Sequence, residues 1–414
     1  MLQMIEDKRS SNRTFWRLAV KIKDFLWKSK FYLGGVIVYF ISLIINIKDI
    51  KKAIRLNGLL RIGKKLIVFD GDQRYFFDNF EPIYSEYSNT EYIYFINPFL
   101  FNKSYFNYLL KNNIPPKKII SASYAFLINW TVYLNSWIPR YFPNPLLNNR
   151  VKYKIEMYHG ISASTFESDN FNSKDNRKEL KKFNIHFAIG PQLVKPIRNL
   201  DSSIKIFNTG YPRMDKFYNK SLEEESVLEE FNMKHKWPIV VYSPHHLKDS
   251  SFKNSVKIIK TLLGMKINVI LKIHEAAYLY KEYVEIIKTL KKIKADNFFF
   301  ASKTESTPYY VIADAVITDV CSTATFESCL VDKPTIIIPN LNWLKENKEH
   351  IQLEKLAMGS NYLLEFISDL EKLIPYVLEN KNKKHLERKD LVNRAYYNLG
   401  KSTLFAKKIL NELT

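Results

Sequence analysis

The feature that most constrains this chain is an alternation of hydrophobic period that starts near Lys64 and continues almost to the C-terminus. Short apolar runs at 66–69 (LIVF), 91–96 (EYIYFI), 118–121, 151–157 (VKYKIEM), 185–189 (IHFAI) and 204–207 (IKIF) read as strands. Stretches 80–87 and 104–111 between them read as helices, and an aromatic helix is expected around 125–137. A second series follows, with strands at 239–242, 268–273, 298–300, 315–317 and 335–338. Helices are expected there at 255–263, 282–291 and 323–330, then a helical tail from about 363. Strands that alternate with helices build parallel sheets, because each crossover needs a helix to return the chain. Two successive series predict two doubly wound α/β domains, 64–208 and 209–414. The segment 210–236, with its acidic run LEEESVLEE, is the expected connection.

Residues 1–63 do not fit that pattern. Residues 1–65 hold fifteen Lys/Arg against four Asp/Glu, a net +11 of the chain's +21. Phe15, Trp16, Phe25 and Trp27 lie among those cations, and 31–47 (FYLGGVIVYFISLIINI) carries no charge. The run is followed by IKDIKK rather than by a small-residue cleavage site, which argues against a secretory signal. It is at the lower limit for a membrane span. Lysines flanking aromatics and leucines suit an interfacial anchor on an anionic surface. The expectation for 1–63 is membrane association, spanning or surface-lying left open, against a helix buried on the next domain. Two cysteines exclude a disulfide scaffold, and 46% apolar content excludes disorder. No zinc-finger or RNP motif accompanies the positive charge, so nucleic acid is not the expected partner.

In doubly wound sheets ligands bind beyond the strand C-terminal ends, so the residues just after each strand are the candidates. His159-Gly160 follows 151–157; a histidine there suits a general base, and glycine permits a sharp turn and a close approach. His245-His246 follow 239–242 through Ser243-Pro244 and suit a phosphate. Lys272 and His274 end the run at 268–273 and suit an anion, with Glu275 as the charge neighbour a buried lysine would need. Thr318 to Glu327 reads as a polar loop entering a helix. Ser322 or Thr323 would cap it, and the free N–H groups of its first turn make an anion site. Glu327, one turn in, would reach ribose hydroxyls. Asp70-Gly71-Asp72 reads as a turn rather than a metal site. No obligatory metal site is visible; Mg²⁺ would come with a donor pyrophosphate.

Taken in order, HG (159–160), TGYPRMD (209–215), VVYSPHH (240–246), LKIHE (271–275), ITDVCSTATFE (317–327), DKPTIIIP (332–339) and NLGKSTLFAKKIL (398–410) resemble the CDP-glycerol glycerophosphotransferase family of teichoic acid primases and polymerases. That resemblance implies a GT-B architecture, two Rossmann-like domains facing a cleft, with a CDP-glycerol or CDP-ribitol donor on the C-terminal domain. It implies His159 as the base for the acceptor hydroxyl and His274 as the group that stabilises the transferred phosphate. Ser322 and Thr323 fall on its helix-start hydroxyls, and Arg213 falls on the Arg of GYPR, expected either to contact phosphate or to fix the domain connection. The acceptor would be lipid-linked or an oligosaccharide, at the cytoplasmic face of a bacterial plasma membrane. The chain departs from the family pattern at Val320-Cys321, at His245-His246 and at Glu275. A GT-B glycosyltransferase using a CMP- or UDP-sugar for capsule or lipopolysaccharide synthesis is therefore the alternative.

Overall fold

The computed structural model describes residues 43–44, 46–71, 74–87, 92–97, 103–136, 145–161, 174–246, 250–303, 305–346 and 352–414. Residues 1–42, which carry most of the expected membrane-associating segment, and Asp72 lie outside the described residues. The chain divides into two compact units. The first is built from 1–72, 91–133 and 139–152, and the second from 73–90, 134–138 and 153–414.

The first unit holds β1 (Ile67–Asp70), β2 (Ile93–Asn97), β3 (Ile119–Ser121) and the start of β4 (Val132–Asn135), in the order β3-β2-β1-β4. β1 and β3 each pair in parallel with β2. Every residue of β1 is buried, as expected of strands covered on both faces. The aromatic helix expected around 125–137 is a correction. Helix ends at Ala125, and Val132–Asn135 is a buried strand. The reason is tertiary. Trp130 turns its indole N–H onto the Ala125 carbonyl at 2.8 Å, while the amides of Thr131 and Val132 both bond the Leu66 carbonyl. β-branched Thr131 and Val132 then suit the pleat better than a helix. A helix, Ile50–Arg61, packs through Ala53 and Leu56.

The second unit contains β5 (Tyr153–Met157), β6 (Ile185–Ala188) and β7 (Lys205–Asn208), successive parallel neighbours. It also contains a six-stranded sheet of β8 (Ile239–Ser243), β9 (Asn268–Leu271), β10 (Phe298–Phe300), β11 (Ala315–Asp319), β12 (Thr335–Ile338) and β13 (Tyr362–Leu363). Its order is β10-β9-β8-β11-β12-β13, parallel throughout. The order reverses between β8 and β11, and that switch point is where such sheets open a binding crevice. β13 was not expected. Leu363 pairs with Ile337, and the tail turns helical with a 3₁₀ turn at Ile367–Asp369 that leads into the α-helix Leu370–Glu379; two residues are too few to leave a readable period.

The GYPRMD and NLGKST motifs, nearly two hundred residues apart, meet here. Gly210 adopts φ +85°, and a Cβ on it would stand 2.2 Å from the Tyr397 carbonyl oxygen. Asp215 accepts from the amides of Ser402 and Thr403 at 3.1 and 2.7 Å. Those are free N–H groups at the start of the helix Ser402–Leu413, so the aspartate caps it. Among the described residues no helix is long and apolar enough to cross a membrane.

Candidate active site

All the candidate side chains fall in the second unit. His159 follows β5, and its Nδ1 lies 2.9 Å from the Ser136 carbonyl oxygen. A carbonyl only accepts, so Nδ1 carries the hydrogen and Nε2 holds the lone pair. Burial is the main reason the imidazole's pKa falls to about 4; the Ser136 bond opposes it and the Arg213 charge adds to it. The ring is neutral at pH 7. The Tyr211 hydroxyl donates to the His159 carbonyl oxygen at 2.6 Å and fixes the turn.

Gly160 brings this turn against the second sheet's anion loop. A Cβ at Gly160 would sit 2.8 Å from the Thr323 hydroxyl oxygen, so only glycine allows the approach. The helix Thr323–Leu330 is capped by Ser322, whose Oγ accepts from the Ala324 amide at 3.3 Å. Cys321, just before the cap, holds φ +65°, a left-handed conformation uncommon for a side chain other than Gly, Asn or Asp. Its amide donates to Glu354 at 3.2 Å.

Across the switch point, β8 delivers His245 and His246, and the turn after β9 delivers Lys272 and His274. β9 ends at Leu271, two residues short of the expected strand. His274 is the N-cap of the 3₁₀ helix Glu275–Leu279, and its Nδ1 accepts from the Ala276 amide at 3.1 Å. That nitrogen is unprotonated, so the hydrogen sits on Nε2, the reverse of His159. The three imidazoles stack: His245 on His246 at 4.5 Å and His246 on His274 at 4.2 Å between ring centroids. Burial first, then repulsion from the titratable neighbours His246, His245, Lys272 and His159, holds His274 well below the usual histidine range, although its edge is open to solvent. Burial and His246 lower His245 to about 3. The His246 Nδ1 is buried without a hydrogen-bond partner. Lys272 is buried, its ammonium donating to the Ile273 carbonyl at 3.2 Å. Burial lowers its pKa, and the Glu275 charge is the largest effect opposing that.

Other candidates have partners within the protein. Arg213 and Glu327 form a buried ion pair with each other. Glu327 also accepts from Thr307 at 3.1 Å, and Glu305 lies 3.7 Å from the Arg213 Nε. The two side chains expected on phosphate and ribose thus tie the GYPR turn to the helix after β11. Thr318 is fully buried, its hydroxyl donating to the Ser243 carbonyl at 2.8 Å, and is not brought to the open site.

Sequence reasoning passed over Asp319. Its carboxylate accepts from the His245 and Ser251 amides at 2.7 and 2.8 Å, which sets the loop that carries the histidine pair. Burial lifts its pKa to about 6 against those bonds. An aspartate closing a strand in front of a helix N-terminus was the available signal.

A parallel sheet with a switch point, a helix start suited to an anion and protonatable groups at the strand ends fit an enzyme site of the doubly wound class that takes an anionic ligand. The profile of the CDP-Glycerol:Poly(glycerophosphate) glycerophosphotransferase family matches residues 52–401, and the chain belongs to that family. Its fold is similar to structures of the wall teichoic acid polymerase TagF, solved as histidine variants. The TM-score is 0.60 at 14% identity, over 90% of this chain and 97% of that one. The variant soaked with CDPG gives the same score over 92% of this chain and 98% of that one. UDP-GlcNAc 2-epimerase from Neisseria meningitidis bound to UDP-GlcNAc is also similar, with TM-score 0.54 and 12% identity over 84% of this chain and 99% of that one. A search of curated protein sequences returns no relative.

Proposed function

We propose that this protein moves glycerol phosphate or ribitol phosphate from a CDP-polyol to a hydroxyl of a membrane-linked or saccharide acceptor, releasing CMP. The acceptor oxygen attacks the β-phosphorus, a new P–O bond forms, and the bond to the oxygen retained by CMP breaks. The acceptor proton passes to Nε2 of His159. The observation that carries this reading is the pair of opposed tautomers: His159 offers a lone pair and His274 an N–H. An N–H aimed at the transferred phosphate stabilises charge as it develops. The Ser322-capped helix start, Lys272 and the His245–His246 pair supply positive or hydrogen-bonding surface for the pyrophosphate, and phosphoryl transfer depends chiefly on such positioning.

Any Mg²⁺ in this reading is bound by the donor pyrophosphate; among the described residues no group of three His, Cys, Asp or Glu is arranged to hold a metal. The setting is the cytoplasmic face of a bacterial plasma membrane, in the synthesis of an anionic surface polymer. CMP release is the direct test, with CDP-glycerol or CDP-ribitol and a lipid-linked or oligosaccharide acceptor. His159→Ala and His274→Ala should each lose most of the turnover, and near-normal rates would overturn the roles. A thermal-shift panel of CDP-polyols against UDP- and CMP-sugars separates polyol-phosphate transfer from sugar transfer.

A further inference from the structure

β8 and β11 sort their side chains between the two faces of the six-stranded sheet. Val240, Tyr242, Ala315 and Ile317 enter one core, together with Ile258 of the helix Ser255–Leu263 and with Leu364. Val241 and Val316 enter the other, together with Ala324 of the Ser322-capped helix. Successive strand residues point to opposite faces. Asp319, two residues on from Ile317, therefore belongs to the first face, and the capped helix lies on the second.

On that first face opens a cavity of about 430 Å³, within the range of about 300–1,000 Å³ usual for small-molecule sites. Asp319 and Ile338 line it where β11 and β12 end, and Leu364 and Phe366 line it just past β13. These are strand C-terminal ends, the edge at which doubly wound sheets take ligands. Its buried apolar lining, Ile258 and Leu364, is part of the core beneath. The charges of the lining are Lys257 against two carboxylates, Asp319 and Glu365, in a chain of net +21. Asp319 is engaged by the His245 and Ser251 amides. Lys257 and Glu365 are exposed and form no ion pair among the described residues. A lining with more acid than base does not gather phosphate.

Phe366 is 65% exposed on a fixed backbone. Its carbonyl accepts from the Asp369 amide at 2.9 Å, and the Leu364 amide donates to the Ile337 carbonyl at 2.9 Å. Ser250 and Asn254 supply groups that both donate and accept, Lys257 donates and Glu365 accepts. An aromatic face beside such a mixture suits a ring with C–H bonds on its face and hydroxyls around its edge, because each hydroxyl also both donates and accepts.

We infer that this cavity is a second ligand site, separate from the anion site at the Ser322-capped helix, and that it takes an uncharged sugar ring. Phe366 packs on the ring's C–H face, while Asn254, Ser250 and Glu365 bond its hydroxyls. Asp319 joins the two sites, since the carboxylate that lines the cavity also holds the His245 amide. The inference goes beyond the polyol-phosphate reading, which needs no sugar on this face. Sugar binding is measured without donor and CMP release is read separately, so either idea can fail alone.

The test is saturation-transfer NMR on the full chain with methyl glucoside, methyl galactoside and methyl N-acetylglucosaminide, and with cytidine as the contrasting ligand. At least one glycoside should receive saturation, and excess inorganic phosphate should not displace it. Phe366→Ala/Glu365→Gln should weaken its binding by about tenfold or more, the worth of one ring face and one hydrogen bond. Phe405→Ala, which removes another exposed aromatic ring, should leave it unchanged. Silence from all three glycosides, displacement by phosphate, or unaltered affinity in the Phe366/Glu365 double variant overturns the proposal. Cytidine binding that is lost in that variant, with no glycoside bound, overturns it in favour of a nucleobase pocket.

Discussion

Gly160 and Thr323 touch so closely that not even a methyl group fits between the His159 turn and the helix that would hold the donor phosphates. Gly160→Ala should destabilise the protein by about 1–3 kcal/mol, the usual cost of overpacking, and lower kcat. Thr323→Ala in the same chain removes the clashing oxygen. Thermal melting should show recovery in the double variant. Equal melting temperatures for wild type and Gly160→Ala would refute the contact.

The pH profile follows from the His159 pKa near 4. A base works unprotonated, so a lowered pKa keeps it competent as pH falls. The acid limb of kcat/KM should therefore appear near pH 4 to 5, well below the ordinary histidine value of about 6.5. An acid limb at 6.5 would mean that the titrating group is not this buried imidazole.

Arg213→Met leaves Glu327 buried without its cation. Breaking a buried pair from one side costs about 3–5 kcal/mol, whereas replacing both partners by apolar groups is often near neutral. Arg213→Met/Glu327→Leu should therefore be more stable than Arg213→Met alone in urea titrations. If donor KM rises far more than stability falls, Arg213 contacts the donor as well as Glu327.

Glu156 in β5 is buried and both its oxygens lack partners, and burial raises its pKa well above the usual value. The sign is fixed by linkage. Below about pH 4.5 both folded and unfolded chains hold the proton. Above that the unfolded chain releases it and the folded chain does not, so stability falls as pH rises towards the folded-state pKa. Glu156→Gln abolishes this. Its stability advantage over wild type should grow by about 1.4 kcal/mol per pH unit from pH 5 upward. A difference independent of pH would show that Glu156 ionises in the folded protein.

Thr318→Val removes a buried donor to the Ser243 carbonyl. It should cost about 1–3 kcal/mol of stability with the KM for donor unchanged. A raised KM would return Thr318 to the donor site.

The parallel α/β organisation was legible because both-face burial writes continuous apolar runs. The helices at 255–263 and 323–330 and the strands at 298–300 and 335–338 have the bounds read from the sequence. β4 was not legible, since Tyr133 and Leu134 suit a helix or a strand until Leu66 supplies the hydrogen bonds. The position of His159, His245, His246 and His274 after strands could be read from pattern alone, whereas Lys272 was expected inside the strand that ends at Leu271. Their protonation could not, since it depends on the Ser136 carbonyl and the Ala276 amide. The Arg213–Glu327 pair joins residues 114 apart, and no local period announces it.

Cys321 has one further consequence. Its left-handed backbone, with the amide anchored on Glu354, sets the bend of the loop before Ser322. The conformational cost, about 1 kcal/mol, is therefore incurred when the chain folds. Under the proposed function, a donor diphosphate would meet a loop already bent and lose little affinity to ordering it. Replacing Cys321 by glycine would keep the bend reachable but return its entropy to the binding step, so the loop would hold its ligand more weakly without losing a single contact to it.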